Sequence, residues 1–315
     1  METTQDRSAV SIGTFDGVHL GHQAILAEVQ RRADADGIGG VAYAFDAPPR
    51  LRGESGPGRM LLLPAALKAR LILRTIDRVV RVSLPEVRGL SPERFAETIL
   101  ADELHAASVV VGPSFRFGAG RSGDPGALRR LGEQLGFAVH VVPSLVVGGE
   151  PVSSSRIRLL VAAGDVAPAA ALLGRPPILI GDVVRGDRVG RTLGYPTANL
   201  TVDPSVLLPA AGVYAAHAFL GDPSPVAPHH PALLYVGTRP TLRSAEVEPG
   251  CEVHLLTPPP DELYGRRIEV HLLERLRGDV AFPSLAALRR QMDRDAERAA
   301  QTHTCFQGPF TPIGG

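Results

Sequence analysis

Two textures of apolar periodicity follow one another along the chain. From residue 8 to about 143, short β-rich runs alternate with segments whose apolar positions recur at helical spacing. Strands are expected at 9–12, 41–45, 78–84, 108–111 and 137–142, and helices at 22–34, 64–75, 91–105 and 125–135. In the first helix Ile25, Leu26, Val29 and Ala33 fall on one stripe. Ser91-Pro92-Glu93 offers a cap followed by proline at the first helical position. Such alternation predicts a parallel, doubly wound α/β sheet, whose ligands sit beyond the carboxyl ends of its strands. From about 177 the texture changes. Strand-like runs at 178–184, 212–220, 233–236, 252–256 and 267–273 are separated by Pro- and Gly-rich turns, and a helix is expected over 284–300. Many short strands with turn signals predict a small β-barrel closed by a helix. The join at Leu173-Gly174-Arg175-Pro176-Pro177 gives domains 1–176 and 177–302, with an irregular tail at 303–315 and an irregular loop at 222–231.

Composition narrows the chemistry. A chain of 315 residues can bury two cores. Its 33 basic residues balance 33 acidic ones, so neither nucleic acid nor a membrane surface is an expected partner. Cys251 and Cys305 are far apart and in unlike contexts, which argues against a disulfide framework and fits a reducing cytoplasm. The opening residues lack a signal pattern, and no apolar run approaches the roughly 20 residues of a membrane span. A cytoplasmic protein is expected, as a monomer or weak homo-oligomer. Lys68 is the single lysine, and no Gly-Lys-Ser/Thr occurs, so a P-loop is excluded. Any ATP chemistry must therefore use backbone amides, arginine, histidine and metal. Lys68 itself lies in an apolar helical stretch and is expected to be an ordinary surface lysine.

The string Gly13-Thr14-Phe15-Asp16-Gly17-Val18-His19-Leu20-Gly21-His22 links the first strand to the first helix. A helix N-terminus presents unpaired N–H groups and partial positive charge, which attract phosphate. Imidazoles there can donate to phosphate oxygens, and Gly21 lets a ligand approach the backbone. The structural alternative is a turn whose histidines only cap and solvate it. Two further stretches have the same double reading. Val110-Val111-Gly112-Pro113-Ser114-Phe115-Arg116-Phe117-Gly118 follows a buried strand, and Ser153-Ser154-Ser155-Arg156-Ile157-Arg158 opens a helix whose hydroxyls can cap it. In the second half, Gly186, Gly190 and Gly194 can turn converging N–H groups toward phosphates. Thr197 and Asn199 then share one face of an extended chain and offer hard oxygens suited to Mg²⁺. Glu252 and His254 likewise share a face. Alone, Pro196-Thr197-Ala198-Asn199 reads better as a structural turn and Glu252 better as an exposed strand residue. His229-His230, on a proline-rich loop, lacks further ligands for a metal.

These strings resemble, in order, the motifs of bacterial bifunctional riboflavin kinase/FAD synthetases, over residues from about 8 to 300. The resemblance implies a nucleotidyltransferase-like first domain that transfers AMP from ATP to the FMN phosphate and releases pyrophosphate. It assigns His19, His22 and Arg156 to that reaction with bound Mg²⁺, and Gly13, Phe15, Asp16, Gly17, Gly21, Gly112, Ser114, Phe117, Ser154 and Ser155 to ATP and its phosphates. Arginine forks suit phosphate oxygens. The segment from Gly181 to Leu200 is similar to the riboflavin kinase module and implies ATP binding by Gly186, Gly190, Gly194 and Pro196, with Thr197 and Asn199 on Mg²⁺. Glu252 falls where the family has its base, which takes the proton of the ribityl 5′-hydroxyl, and Arg277 falls in a flavin-binding element. Implied partners are riboflavin, FMN, FAD and ATP.

The chain departs from the family at three places. Phe45-Asp46-Ala47-Pro48-Pro49 stands where the family reads Phe-x-Pro-His-Pro, Ser114 where it has Asp or Asn, and Tyr235 where it often has Asn. Ala47, Pro48 and Ser114 leave open a kinase whose first domain only binds nucleotide or flavin. A non-catalytic flavin-responsive protein is a third reading, against which Thr197, Asn199 and Glu252 speak.

Overall fold

The computed structural model of the chain describes residues 7–46, 60–185, 194–221, 229–237, 250–257 and 262–305, in two compact units that divide between Ser154 and Ser155. In the first unit, β1 (Ser8–Gly13), β2 (Gly39–Phe45), β3 (Arg78–Val82), β4 (Ala106–Val111) and β5 (Ala138–Val141) form a parallel sheet in the order β3-β2-β1-β4-β5. This is the expected doubly wound sheet. The chain winds out from β1 to β3 and returns beside β1 as β4, so the switch point lies at the carboxyl ends of β1 and β4. Both strands are almost wholly buried, as strands covered on two faces must be.

The connections are α1 (Leu20–Asp36), α2 (Ala65–Ile72), α3 (Leu84–Val87), α4 (Pro92–Phe95) and α5 (Pro125–Leu135). The cap expected at Ser91 is present, its Oγ accepting the Arg94 N–H at 3.2 Å with Pro92 in the first turn. Beyond α4 the helix continues as a π-helical stretch, Ala96–Glu103. α5 has the residues its ends need: the Asp124 carboxylate accepts the Ala127 N–H at 2.7 Å, and Gly136 closes the helix at φ 82°. Tyr43, Phe95, Leu100, Phe117 and Leu128 meet in the core on one side of the sheet. A short hairpin, β6 (Val146–Val147) with β7 (Glu150–Pro151), ends the unit.

α6 (Ser154–Ala163) starts on the last residue of the first unit and lies otherwise in the second, where it and α7 (Val166–Leu173) precede β8 (Ile178–Val184), β9 (Ala198–Val202), β10 (Gly212–Leu220), β11 (His229–Gly237), β12 (Gly250–Leu255) and β13 (Arg267–Gly278). The six strands close an antiparallel barrel in the order β10-β11-β12-β9-β8-β13, which leaves no open edge. Helix α8 (Leu285–Cys305) packs over it, with Ala299 against Val213, Leu233 and Leu273. The compact division precedes residue 176 because β13 holds the α6–α7 pair: Arg275 Nη1 donates to Ala163 O at 3.2 Å.

Three expectations need correction. β9 is a strand that the apolar pattern did not announce. Residues 229–231 belong to β11, not to a loop, because the nine-residue β10 pairs along its length and sets Phe219 opposite His229; 222–228 lie outside the described residues. α8 runs to Cys305, so 303–305 are helical and the remainder of the expected tail lies outside the described residues.

Under the end of α8, His217 is buried, with its ring 4.4 Å from those of His229 and His303. His271 and the fully buried Glu269 are 2.7 Å apart alongside. Burial, and then His303, His229 and His271, push His217 down to about 3; burial and then His229 push His303 down to about 4. Both folded values lie below the ordinary 6.5, so the unfolded chain takes up protons that the native state refuses. Their contribution is whole above pH 6.5 and is lost as pH falls to about 4 for His303 and about 3 for His217. Urea denaturation of the full chain should show the barrel transition weakening over that window, by up to about 1.4 kcal/mol per pH unit for a buried imidazole such as His217. His217→Phe should flatten that slope, and an equally steep slope in the variant would refute the assignment.

Candidate functional sites

At the switch point β1 runs into a turn of unusual backbone. Phe15 and Val18 are left-handed at φ 47° and 41°, and Gly17 lies at 80°. For a β-branched valine this is a steric outlier. Burial and hydrogen bonds hold it in place. Phe15, Asp16 and Val18 are at most 3% exposed. Val18 N–H donates to Phe15 O at 2.9 Å, Gln23 Nε2 to Val18 O at 2.8 Å, and Ser154 Oγ to Asp16 O at 2.8 Å. The Asp16 carboxylate accepts the Leu62 N–H at 3.0 and 3.2 Å, so it braces the segment leading into α2.

The turn presents His19 as the N-cap of α1, where its Nδ1 accepts the His22 N–H at 3.3 Å. A neutral imidazole accepting at Nδ1 carries its proton on Nε2. The His22 ring stacks on His19 with centroids 3.6 Å apart and planes 16° from parallel, and it meets Phe15 edge-on at 5.4 Å. Gly21 permits the stack, since a Cβ there would stand 3.2 Å from the His19 ring. Desolvation first, then His19 and Lys68, holds the His22 pKa well below 6.5. His22 is therefore an uncharged imidazole at neutral pH, and its Nδ1 is buried with no hydrogen-bond partner. A buried polar atom left open beside a helix N-terminus suits an anionic ligand.

Gly13 and Gly112 stand at the ends of β1 and β4, on the same sheet edge. Ser114 is exposed beyond Gly112. Phe117, expected at the nucleotide, instead joins the core, stacked on Phe115 at 5.5 Å and packed against Phe95 at 5.8 Å. It fixes the loop from below, and Gly123 is required there because a Cβ would come within 2.5 Å of its ring. Ser154 is tied to the turn as described, while Ser155 is exposed and Arg156 half-buried on the first turn of α6, in the second unit. Ala47 and Pro48 lie outside the described residues.

On the barrel, β12 alternates as expected. Cys251, Val253 and Leu255 are buried, and Glu252, His254 and Leu256 face the other way, half-buried. β9 pairs with β12 so that Asn199 stands opposite Glu252, and Thr197 Oγ1 donates to Glu252 Oε2 at 3.0 Å. The strand register thus unites three predicted residues. Pro196 O is 2.9 Å from His254 Nδ1, and the Tyr195 ring lies 5.0 Å from that of His254 while its hydroxyl donates to Asp293 of α8. Burial pushes the Cys251 thiol up to about 12, with Glu252 adding to it, so this cysteine is packing and not a nucleophile. Gly194 is left-handed at φ 84°; Gly186 and Gly190 lie outside the described residues. Arg277, expected at the flavin, donates Nε to the buried Asp295 of α8 at 2.8 Å and lies over the Phe282 ring. Its guanidinium pins the closing helix to β13. Tyr235 donates to the Asp279 carboxylate at 3.1 Å.

Lys68 is the largest departure from the sequence reading. It is 2% exposed, not a surface residue. Its Nζ donates to the carbonyls of Phe45 and Asp46, at 2.5 and 3.3 Å. The signal was in the spacing: Lys68 shares a helix face with the buried Leu71 and Ile72.

Comparison with known proteins follows the same division. The FAD synthetase family model matches residues 1–156, and the riboflavin kinase family model matches residues 173–303. The bifunctional riboflavin kinase/FMN adenylyltransferase of Escherichia coli K12 is 34% identical over 297 residues, covering 93% of this chain and 92% of that protein. The protein of the same description from Pseudomonas fluorescens is 36% identical, covering 92% and 91%. A crystal structure described as a macrolide-efflux protein from Streptococcus pneumoniae matches with a TM-score of 0.80 at 26% identity, covering 93% of this chain and 94% of that one. That likeness carries the fold. Among the described residues no helix is long and apolar enough to cross a membrane.

The histidine stack gives a direct test. Gly21→Ala raises helix propensity by about 1 kcal/mol, yet its methyl presses on the His19 ring. In histidine-labelled protein followed by NMR, the variant should stay folded while His22 titrates closer to 6.5 than in the wild type. An unmoved His22 titration would show that the stack does not hold its ring in place.

Proposed function

The chain belongs to the family of bifunctional riboflavin kinase/FMN adenylyltransferases, and from that membership we propose which side chains carry each reaction. The two ATP-dependent activities are phosphorylation of riboflavin to FMN and adenylylation of FMN to FAD. The kinase reaction belongs to the barrel. Glu252 is its base: it takes the proton of the ribityl 5′-hydroxyl as that oxygen bonds to the γ-phosphorus and ADP leaves. The observation that carries this reading is the hydrogen bond from Thr197 to Glu252 with Asn199 in register opposite. Thr197 orients the carboxylate through one oxygen.

The same three side chains present only oxygen donors, as a hard dication requires. As the family resemblance implies, Thr197 and Asn199 would hold Mg²⁺ together with the phosphates of ATP. Bound there, Mg²⁺ supplies neutralisation of the charge on the transferring phosphoryl group.

Adenylyl transfer needs no base, because the FMN phosphate is itself the nucleophile. Its oxygen bonds to the α-phosphorus of ATP and the bond to pyrophosphate breaks. The N-terminal amides of α1, with His19 and the neutral His22, position the phosphates and oppose charge as it develops. An uncharged ring fits this role, as it can donate one N–H without repelling its stacked neighbour.

Glu252→Gln separates the two activities. Riboflavin phosphorylation should fall by about 10²–10⁴-fold, while conversion of added FMN to FAD continues at the wild-type rate, read by chromatographic separation of the flavins. Loss of both activities in folded protein would defeat the two-site assignment.

A further inference from the structure

We propose that Lys68 is a positioning residue for adenylyl transfer, tying the carboxyl end of β2 into the frame of the histidine turn and fixing a positive charge beside the phosphate site. This rests on reading the first unit as the adenylyltransferase.

The geometry starts with the sheet. β2 Ala44 pairs with β1 Gly13, so the carbonyls that Lys68 grips, those of Phe45 and Asp46, emerge beside the first residues of the histidine turn. The segment before α2 reaches the same turn, Leu62 N–H binding the Asp16 carboxylate. α2 and its lead-in therefore clamp both strand ends at the switch point, and Lys68 is the charged part of the clamp.

A neutral donor such as glutamine would satisfy the same carbonyls without the cost of burying a charge. What an ammonium adds is its field. The charged and titratable groups that act on it are Asp16 on the turn, Asp46 past β2, and Arg81 on β3, which itself pairs with Asp46 at 3.1 Å. Burial lowers the lysine pKa, the two aspartates raise it and Arg81 lowers it. Lys68 in turn disfavours the imidazolium of His22, alongside desolvation and His19. The single lysine thus favours the neutral form of His22 and holds positive potential where phosphate collects.

The sign of the test follows. Without the ammonium, His22 takes a proton more readily, so the acid limb of FAD formation moves to higher pH. In Lys68→Met the FMN-to-FAD rate should drop roughly tenfold or more, with that limb displaced upward and the KM for ATP raised. Lys68→Arg keeps the charge and should leave the limb in place. Riboflavin phosphorylation by the same preparations, a reaction of the barrel, should not change, and the dispersed NMR spectrum of the variant reports that the first unit is folded. A wild-type limb and rate in Lys68→Met, or an Arg variant whose limb moves as the Met variant's does, would overturn the proposal.

If Lys68→Met does not fold, the wild type decides. Lysine labelled at Cε gives one resonance in this chain. Adding α,β-methylene ATP with Mg²⁺ should raise its titration, because phosphate charge beside the ammonium favours the protonated form; an unmoved titration overturns the proposal. Wild-type protein that makes no FAD from FMN and ATP defeats the adenylyltransferase reading itself, a result distinct from either of these.

Discussion

The backbone of the Phe15–Val18 turn is the most expensive stretch of the first unit, and the site there depends on it. Two non-glycine residues in left-handed geometry cost on the order of 1–3 kcal/mol each. Such a turn persists only when its surroundings over-determine it. Gln23 from α1, Leu62 ahead of α2 and Ser154 at the start of α6 each bond to a different group of the turn, and the Phe15 and Val18 side chains are buried beneath it. The strain has a use. It reverses the chain tightly enough that His19 arrives at the capping position of α1 with Nδ1 turned inward, which fixes the tautomer. A relaxed turn would deliver the same residues without that orientation.

The barrel reaches its arrangement by a cheaper route. Period-two alternation puts Glu252 and His254 on one face of β12, and antiparallel register with β9 sets Asn199 opposite Glu252. No strained residue is needed. The difficulty lies in the closing helix, whose buried acid needs a partner. Asp295 is 2% exposed and accepts from both Arg277 and Gln291 at 2.8 Å. A buried carboxylate with two charge-assisted or polar donors is tolerated, whereas the same group unpaired would cost several kcal/mol. Arg277 is therefore committed to α8 whatever else it does.

The sequence disclosed those features that depend on local period and punctuation. α5 falls on its expected residues because Asp124, Pro125 and Gly136 mark both ends, and β8 and β10 do so because their apolar runs are bounded by turns. The Gly13–His22 string was legible because cap, glycine and histidine stand within one turn of each other. Features set by distant partners were not. β9 has only three residues pairing with β12 and is marked as a strand chiefly by that pairing and by β8. The start of β11 carries histidines and proline and becomes a strand because β10 needs a partner. Lys68 was misjudged by residue type, since lysine is so rarely buried; its helix face, shared with Leu71 and Ile72, pointed inward.

The two sites also differ in what their reactions ask of protons. A kinase that makes an alkoxide-like nucleophile must remove a proton, so the proposed reading asks the barrel for a carboxylate, and the Thr197 hydroxyl orients that of Glu252. A phosphate nucleophile carries no proton that must leave, so the other site benefits from donors and fixed positive charge and has no use for a base. Burial, the neighbouring His19 and the Lys68 ammonium all push His22 toward the neutral form, which would be a poor choice for an acid–base residue and is a good one for a hydrogen-bond donor.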